Sequence, residues 1–512
     1  MKLRKMISTV LVSSMLLTGL AACGSESKPA TKGSSTEAAQ TAKKETLKPA
    51  TLKILIPGDK SATYDQVQDA ITKKLTEDGL NCKLDITYVP WSDYKNKLQV
   101  SMTAGEDYDL LLDAPWNLQA QMAKSGHYED LEPLLNKYGP NILANRPKEM
   151  WDANKIFGKI YGIPSGQTFF ASRGLYIRKD LREKLGIAPI KTWEDLDKFL
   201  LAVRDKESSI TPFDAKSLEL PYHMIFMDAD SQIKMVQESW GLILYFKKND
   251  GKVRNMFDEQ DPTIWSAFTK VRKYYTDKIM NQDVLATKSN RDLFFAGKLA
   301  ATTANSWNVS DADKDRLTKA VPGATMELVT FVDTTKKYLS TFVQSNFAHI
   351  PVYSKNKERT IMFLDWVGKS QDNYDLVTLG VKGINWELAG EASKVISDKK
   401  YDGSSWAFYQ NPKQGRPAAD TSPEAKKLTD WTKVAGNFTL DKTSGFTFDQ
   451  TPVASEVAQL TALNAQYMVA INNGAVDLDK TWAEYKSKAA DSVKKIQTEY
   501  QKQLDAFLSG KK

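Results

Sequence analysis

Along this chain the spacing of apolar positions switches repeatedly between two periods. TLKILIP (51–57) is a short β run that ends at Pro57, Gly58 and Asp59. From Tyr64 to Leu75, Val67, Ala70, Ile71 and Leu75 fall on one stripe, which predicts a helix. CKLDITYVPW follows with Leu84, Ile86 and Tyr88 alternating, as in a strand. A second helix is predicted around Tyr94–Thr103. It leads into DLLLDAPWN (109–117), whose consecutive leucines read as a strand buried on both faces. That run stops at Asp113, Ala114, Pro115, Trp116 and Asn117, which cannot continue it. A further helix leads to IYGIPSG (160–166). Strand and helix in alternation predict an α/β fold with a parallel sheet covered on both faces.

The pattern then restarts. GLYIRKDLREKLGI (174–187) gives a strand and a short helix. KTWEDLDKFLLAV gives a helix with Thr192 as N-cap, Asp195 as the reciprocal acid, and Leu196, Phe199, Leu200 and Val203 as its stripe. SWGLILYF and GKLAATTA read as buried strands, and SKNKERTIMFLDWV (354–367) as a capped helix. Near the C-terminus, Trp482, Tyr485, Ala489, Val493, Ile496, Tyr500, Leu504 and Phe507 recur at helical spacing. This predicts one long amphipathic helix, expected to dock on the body because the chain has no second such stretch to pair with it.

In open α/β sheets, ligands bind outside the carboxyl ends of the strands. The strand ending at Leu112 delivers Asp113, Trp116 and Asn117 to that edge, and the strand ending near Val89 delivers Trp91 and Asp93. The first strand delivers Asp59 and Lys60, and LAATTANSW delivers Asn305 and Trp307. Asp113 has an alternative role as a cap for the following helix. Trp406, Phe408 and Tyr409 either line a site or pack a loop.

A chain of 512 residues exceeds one ordinary core and points to two or three domains. Twelve Trp and 20 Tyr are many large amphipathic rings, and a ring-lined binding surface accounts for part of them. Rings beside Asp and Asn suit carbohydrate: a sugar packs its C–H face on indole, and its hydroxyls need directed acceptors. Setting aside the three positive charges Lys2, Arg4 and Lys5 takes the formal net charge from +7 to +4, which is mild, and no basic stripe interleaved with aromatics argues for nucleic acid. The excess positive charge gives a weak pointer to uronate-bearing sugars.

Lys2, Arg4 and Lys5 precede an apolar segment too short to span a membrane comfortably, and LAAC follows. Residues 1–22 therefore read as a secretory signal peptide. Cys23 after the small residues looks like a bacterial lipobox, in which the thiol is diacylated and becomes the mature N-terminus. The segment up to residue 50 is rich in Ser, Thr, Ala and Lys, lacks aromatics and reads as a disordered tether. The body is thus expected on the outer face of the plasma membrane. Cys82 is the one cysteine beyond the anchor, so no disulfide framework exists.

His127, His223 and His349 are isolated and read as structural. No HExxH, GxSxG, phosphate loop or Cys/His ligand spacing is present, so no catalytic residue, cofactor or metal is expected. DADKDR (311–316) starts like a calcium loop. Arg316 and Pro322 break the pattern, and a solvated turn is expected. A surface-anchored glycoside hydrolase or lyase, and a peptide-binding protein of the same fold, remain competing readings.

The anchor, GEDYDLLLDAPWN with YEDLEPLLNKYGP, IYGIP, GLYIRKDLREKLGI with TWEDLDKFLLAV, and SKNKERTIMFLDWVGKS together resemble the extracellular solute-binding proteins of family 1, which deliver sugars to ABC importers. GVKGINWELAGE, GFTFDQTPVASEVAQL and NNGAVDLDKTWAEY resemble its long lipoprotein subgroup common in Gram-positive bacteria. The resemblance implies a two-lobed periplasmic-binding-protein-like fold with a hinge and an interlobe ligand cleft. The first lobe would take 51–162 and 305–371, the second 163–304 and 372–512. It implies a monomer without catalysis that captures a carbohydrate and delivers it to permease subunits. By position, Asp113, Trp116 and Trp307 fall where family members place cleft residues, and Trp386 and Glu387 lie near the cleft. SSWAFYQNPKQGRPAAD matches no pattern of the family.

Overall fold

The computed structural model describes residues 47–165, 168–215, 219–396, 401, 409, 411 and 413–510. The expected signal peptide, Cys23 and most of the tether lie outside them, as do Trp406 and Phe408.

Two sheets organise the body. In the first, the strands run in the order Cys82–Val89, Ala50–Pro57, Leu110–Asp113, Phe347–His349, Gly162–Pro164. The first three are parallel, as the strand–helix alternation predicts, and the last two are antiparallel to their neighbours. Leu110, Leu111 and Leu112 are wholly buried because helices cover both faces. In the second sheet the order is Met326–Val329, Gly174–Arg178, Leu299–Ala304, Thr211–Asp214. Gly174–Arg178 runs against both neighbours, whereas Leu299–Ala304 and Thr211–Asp214 are parallel.

Register places the facing edges. In the first sheet, Phe347 pairs with both Asp113 and Pro164, so the strand starting at Phe347 begins where its neighbours end. In the second, Gly174 pairs with Ala304 and Leu175 with Val329. The chain leaves the first edge after Pro164 and reaches the second at Gly174, and residues 330–346 return. The two crossovers are tied together: Ser165 N–H donates to Asn346 O (2.9 Å), Gln344 Nε2 to Thr168 O (3.2 Å), and the Phe169 and Phe342 rings lie 4.5 Å apart. Phe342 holds a left-handed φ of 59°, a strained conformation for an aromatic residue.

Met326–Val329 is an edge strand of the second sheet, well past Asn305. The helix Gln371–Leu379 packs Tyr374 and Val377 into the core of the first sheet. Local periodicity identifies a strand or helix but not which sheet it joins.

Thr192 caps its helix by accepting from Asp195 N, and the C-terminal helix spans Leu478–Gly510 with its apolar stripe buried against the body. Three expectations are corrected. SWGLILYF is not one strand: Gly241 sits at φ 60°, ψ −148° inside a 3-10 turn (Glu238–Ile243), and the strand proper is Leu244–Lys247. DADKDR is not a turn but the start of a helix, Asp311–Ala320, capped by Ser310. The helix in SKNKERTIMFLDWV begins at Lys357 with no side-chain cap, because Ser354 Oγ donates to Asp109 instead (2.7 Å).

Candidate ligand-binding site

Trp91 opens the helix Trp91–Ala104 directly after Pro90, which cannot extend the preceding strand. Trp116 follows Pro115 after Leu110–Asp113. Both rings therefore stand at the carboxyl edge of the first sheet, where they are 53% and 43% exposed, unusual for indoles. Their centroids are 6.1 Å apart with planes tilted by 42°. Trp116 Nε1 donates to Ser345 O at 2.7 Å, fixing the ring against the second crossover. Asp59, Lys60 and Asp93 are exposed on the same edge.

Asp113 is not at the surface. Its side chain is fully buried, and its carboxylate accepts from Tyr128 Oη (2.6 Å), Ala114 N (2.8 Å), Asn117 Nδ2 (2.9 Å) and Leu118 N (3.1 Å). Burial pushes its carboxyl up to about 6 despite those four donors. Asp113 thus organises the turn that presents Trp116, with the half-buried Asn117 as one of its donors, but it does not cap the helix that follows, Gln119–Lys124, whose N-cap Leu118 has no side-chain cap. Behind it, Tyr128 stacks on His349 at 4.2 Å. His349 Nδ1 lies 2.8 Å from Tyr161 O, which makes it the donor, and Nε2 accepts from Gln119 Nε2 (3.1 Å). Desolvation pulls its imidazole down to about 3, so it is neutral.

Trp307 and Trp386 are also internal. Trp307 is 5% exposed, donates to Arg173 O (3.2 Å) and packs beside Trp431. Trp386 is 3% exposed, donates to Gly380 O (3.1 Å) and lies under the Arg416 guanidinium. Both were expected at the ligand surface, and each is instead covered by residues remote in sequence. Glu387 is exposed on the hairpin Trp386–Val395, which is anchored near the first strand's edge by Asn385 Nδ2 donating to Thr63 Oγ1 (3.0 Å). Tyr409 is buried over Arg146, which supports packing in place of lining.

The second sheet's facing edge presents a residue that sequence reasoning passed over. Arg173, just before Gly174, donates through Nη1 to Asn305 Oδ1 (3.0 Å), and its guanidinium lies 5.6 Å from the ring centroids of both Tyr222 and Phe226. Its Nε is buried without a hydrogen-bond partner among the described residues. The signal in the sequence was a cation next to a buried strand. Its value depended on strand direction, which the sequence does not give. The two sheet edges thus each carry aromatic rings with polar groups beside them. Among the described residues no group of His, Cys, Asp or Glu could hold a metal ion.

Comparison with known proteins agrees with this architecture. A model described as bacterial extracellular solute-binding protein matches residues 58–374, and one for a domain of unknown function (DUF3502) matches 442–509. A carbohydrate ABC transporter substrate-binding protein of Streptococcus pneumoniae serotype 4 is 26% identical, the match covering 97% of each chain. The crystal structure of the N-glycan transport solute-binding protein NgtS of Streptococcus pneumoniae superposes with a TM-score of 0.71 at 23% identity, over 91% of this chain and all of that one. Its complex with Man5GlcNAc superposes at 0.65 and 23% identity, over 91% of this chain and 100% of that one. An HMO-binding, ABC-transporter-associated protein of Bifidobacterium longum infantis superposes at 0.65 and 16% identity, over 90% and 99% of the two chains. With its first family model spanning well over half its length, the chain belongs to the bacterial extracellular solute-binding proteins.

Proposed function

We propose that this protein is a lipid-anchored receptor on the outer face of the plasma membrane that captures an oligosaccharide between its lobes and delivers it to an ABC importer, without catalysis of its own. The observation that carries the reading is the exposed Trp91–Trp116 pair at the carboxyl edge of the first sheet. Two indoles 6.1 Å apart offer more ring surface than one sugar needs, which favours an oligosaccharide. Arg173 and Asn305 supply donors and acceptors for hydroxyls from the second lobe. A ligand touching both lobes stabilises the closed state by its differential affinity, and the permease subunits recognise that state. The relatives named for carbohydrate and N-glycan transport support the ligand class, and LAAC at Cys23 supports the anchor. The lobes, as the pairings suggest, comprise about 47–164 with 347–411 and about 174–329 with 422–510.

The test is thermal shift and calorimetry against N-glycan-type, plant-derived and uronate oligosaccharides, with peptides as a second panel and release of reducing ends measured in parallel. Saturable binding of one oligosaccharide class without turnover is the expected result. A shift with peptides alone, or release of reducing ends, would sink the proposal.

A further inference from the structure

The C-terminal module begins beside the hinge. The strand Phe438–Leu440 pairs with Tyr338–Ser340 of the second crossover, Asp441 N donates to Ser340 O (2.8 Å) and Ser444 Oγ to Thr341 O (2.7 Å). The module is anchored in the second lobe: Lys234 pairs with the buried Asp441 at 3.0 Å, and Phe448 packs between Trp240 and Tyr500. The same segment then touches the first lobe. Gly445, at φ 79°, lies so close to Asp152 that a Cβ would meet its carbonyl oxygen at 2.7 Å, and Thr447 Oγ1 reaches Lys155 O at 3.5 Å. Asp449 pairs with Lys124 at 2.9 Å.

The Asp449 end of that ion pair is held firmly. Asp449 N donates to Gln503 Oε1, and Gln503 Nε2 donates back to Asp449 O, both at 2.9 Å, so the long C-terminal helix grips the residue by its backbone. The Asp449 carboxylate also receives Thr451 N (3.1 Å) and Oγ1 (2.7 Å). Lys124 ends the helix Gln119–Lys124, which starts two residues after Asn117 and so continues directly from the turn that carries Trp116.

From the grip of Gln503 on Asp449, and of Asp449 on Lys124, we infer that the C-terminal module is a brace between the lobes, one that sets their relative angle and hence the balance between open and closed forms. Contacts that bridge two bodies beside their crossovers oppose rotation about those crossovers, whatever the ligand. Polypeptide crossovers alone leave such rotation free, and the brace adds a side-chain attachment.

Spin labels at Lys73→Cys and Lys198→Cys, in a Cys23→Ala, Cys82→Ala background, report the distance between the lobes in the protein without ligand. Lys124→Ala and Asp449→Ala are each expected to broaden that distribution, shifting the ratio of its populations about threefold, the size of effect a half-exposed ion pair supplies. Lys124→Arg, which keeps the cation and leaves Asp449 with its Thr451 donors, is expected to leave it as in the parent. Gly445→Val, which forces the module away from Asp152, is expected to move the mean distance itself. Unchanged distributions in both alanine variants and in Gly445→Val overturn the inference. Broadening in Lys124→Arg equal to that in Lys124→Ala removes the ion pair from it. Because no sugar is present, failure here is separate from failure of the proposed function.

Discussion

The indole of Trp116 is hydrogen-bonded to the backbone of Ser345, 229 positions away, at 2.7 Å. The carboxyl edge of the first sheet is thereby fastened to the segment 330–346, so the orientation of the ring and the path of that segment are coupled.

Replacing Trp116 separates the two contributions. Trp116→Ala is expected to weaken oligosaccharide binding about tenfold or more, through loss of both platform and bond. Trp116→Phe keeps a ring but removes the N–H, with an expected loss of about threefold to tenfold. Calorimetry with the best oligosaccharide from the panel measures both. Equal affinities for all three proteins would place the site elsewhere.

Arg173 gives a test from the other lobe. Arg173→Lys keeps the charge but loses the planar fork of donors, and is expected to retain only part of the affinity, whereas Arg173→Ala loses about tenfold. Affinities measured beside unfolding midpoints distinguish a ligand contact, which lowers affinity alone, from a packing role, which lowers both.

Acid should act on the fold through His349 and Asp113 in opposite directions. Folded His349 holds its proton at about 3 against an ordinary 6.5. Below 6.5 the unfolded chain therefore takes up a proton first, and stability falls until the folded value is reached. Folded Asp113 titrates at about 6 against an ordinary 3.8. As pH drops through 6 the native state takes up that proton first and gains stability, until 3.8 is passed. Each slope is about 1.4 kcal/mol per pH unit, so they offset one another between about 6 and 4. Relative to the parent, His349→Gln is expected to gain stability on acidification across that window and Asp113→Asn to lose it. Unfolding midpoints at half-unit intervals check the signs; parallel curves for all three proteins would mean that neither group titrates with folding.

Gly162 faces His349 so closely that an added Cβ would lie 2.6 Å from the imidazole Cε1. His349 is held at both nitrogens and stacked on Tyr128, so it has nowhere to move. Gly162→Ala is expected to cost about 1–3 kcal/mol, read as a lowered denaturation midpoint. A midpoint equal to the parent's would show that the strand Gly162–Pro164 yields more readily than its pairing suggests.

Local order along the chain was decided by the sequence itself. Alternating Leu84, Ile86 and Tyr88, the leucine run before Asp113, and the stripe from Trp482 to Leu504 each specify an element through its own periodicity, and the elements appear where that periodicity puts them. The placing of Trp91 and Trp116 at a sheet edge was legible for the same reason, since Pro90 and Pro115 end their strands locally. Tertiary structure alone decided which polar and aromatic residues face water. Asp113 turned inward because Tyr128 and the backbone of Leu118 arrived to satisfy it. Trp307 and Trp386 were covered by Trp431 and Arg416, which lie 124 and 30 positions away along the chain. Arg173 reached the facing edge because its strand runs antiparallel to both neighbours. Exposure and strand direction depend on surfaces that remote segments bring together, and periodicity carries no information about them.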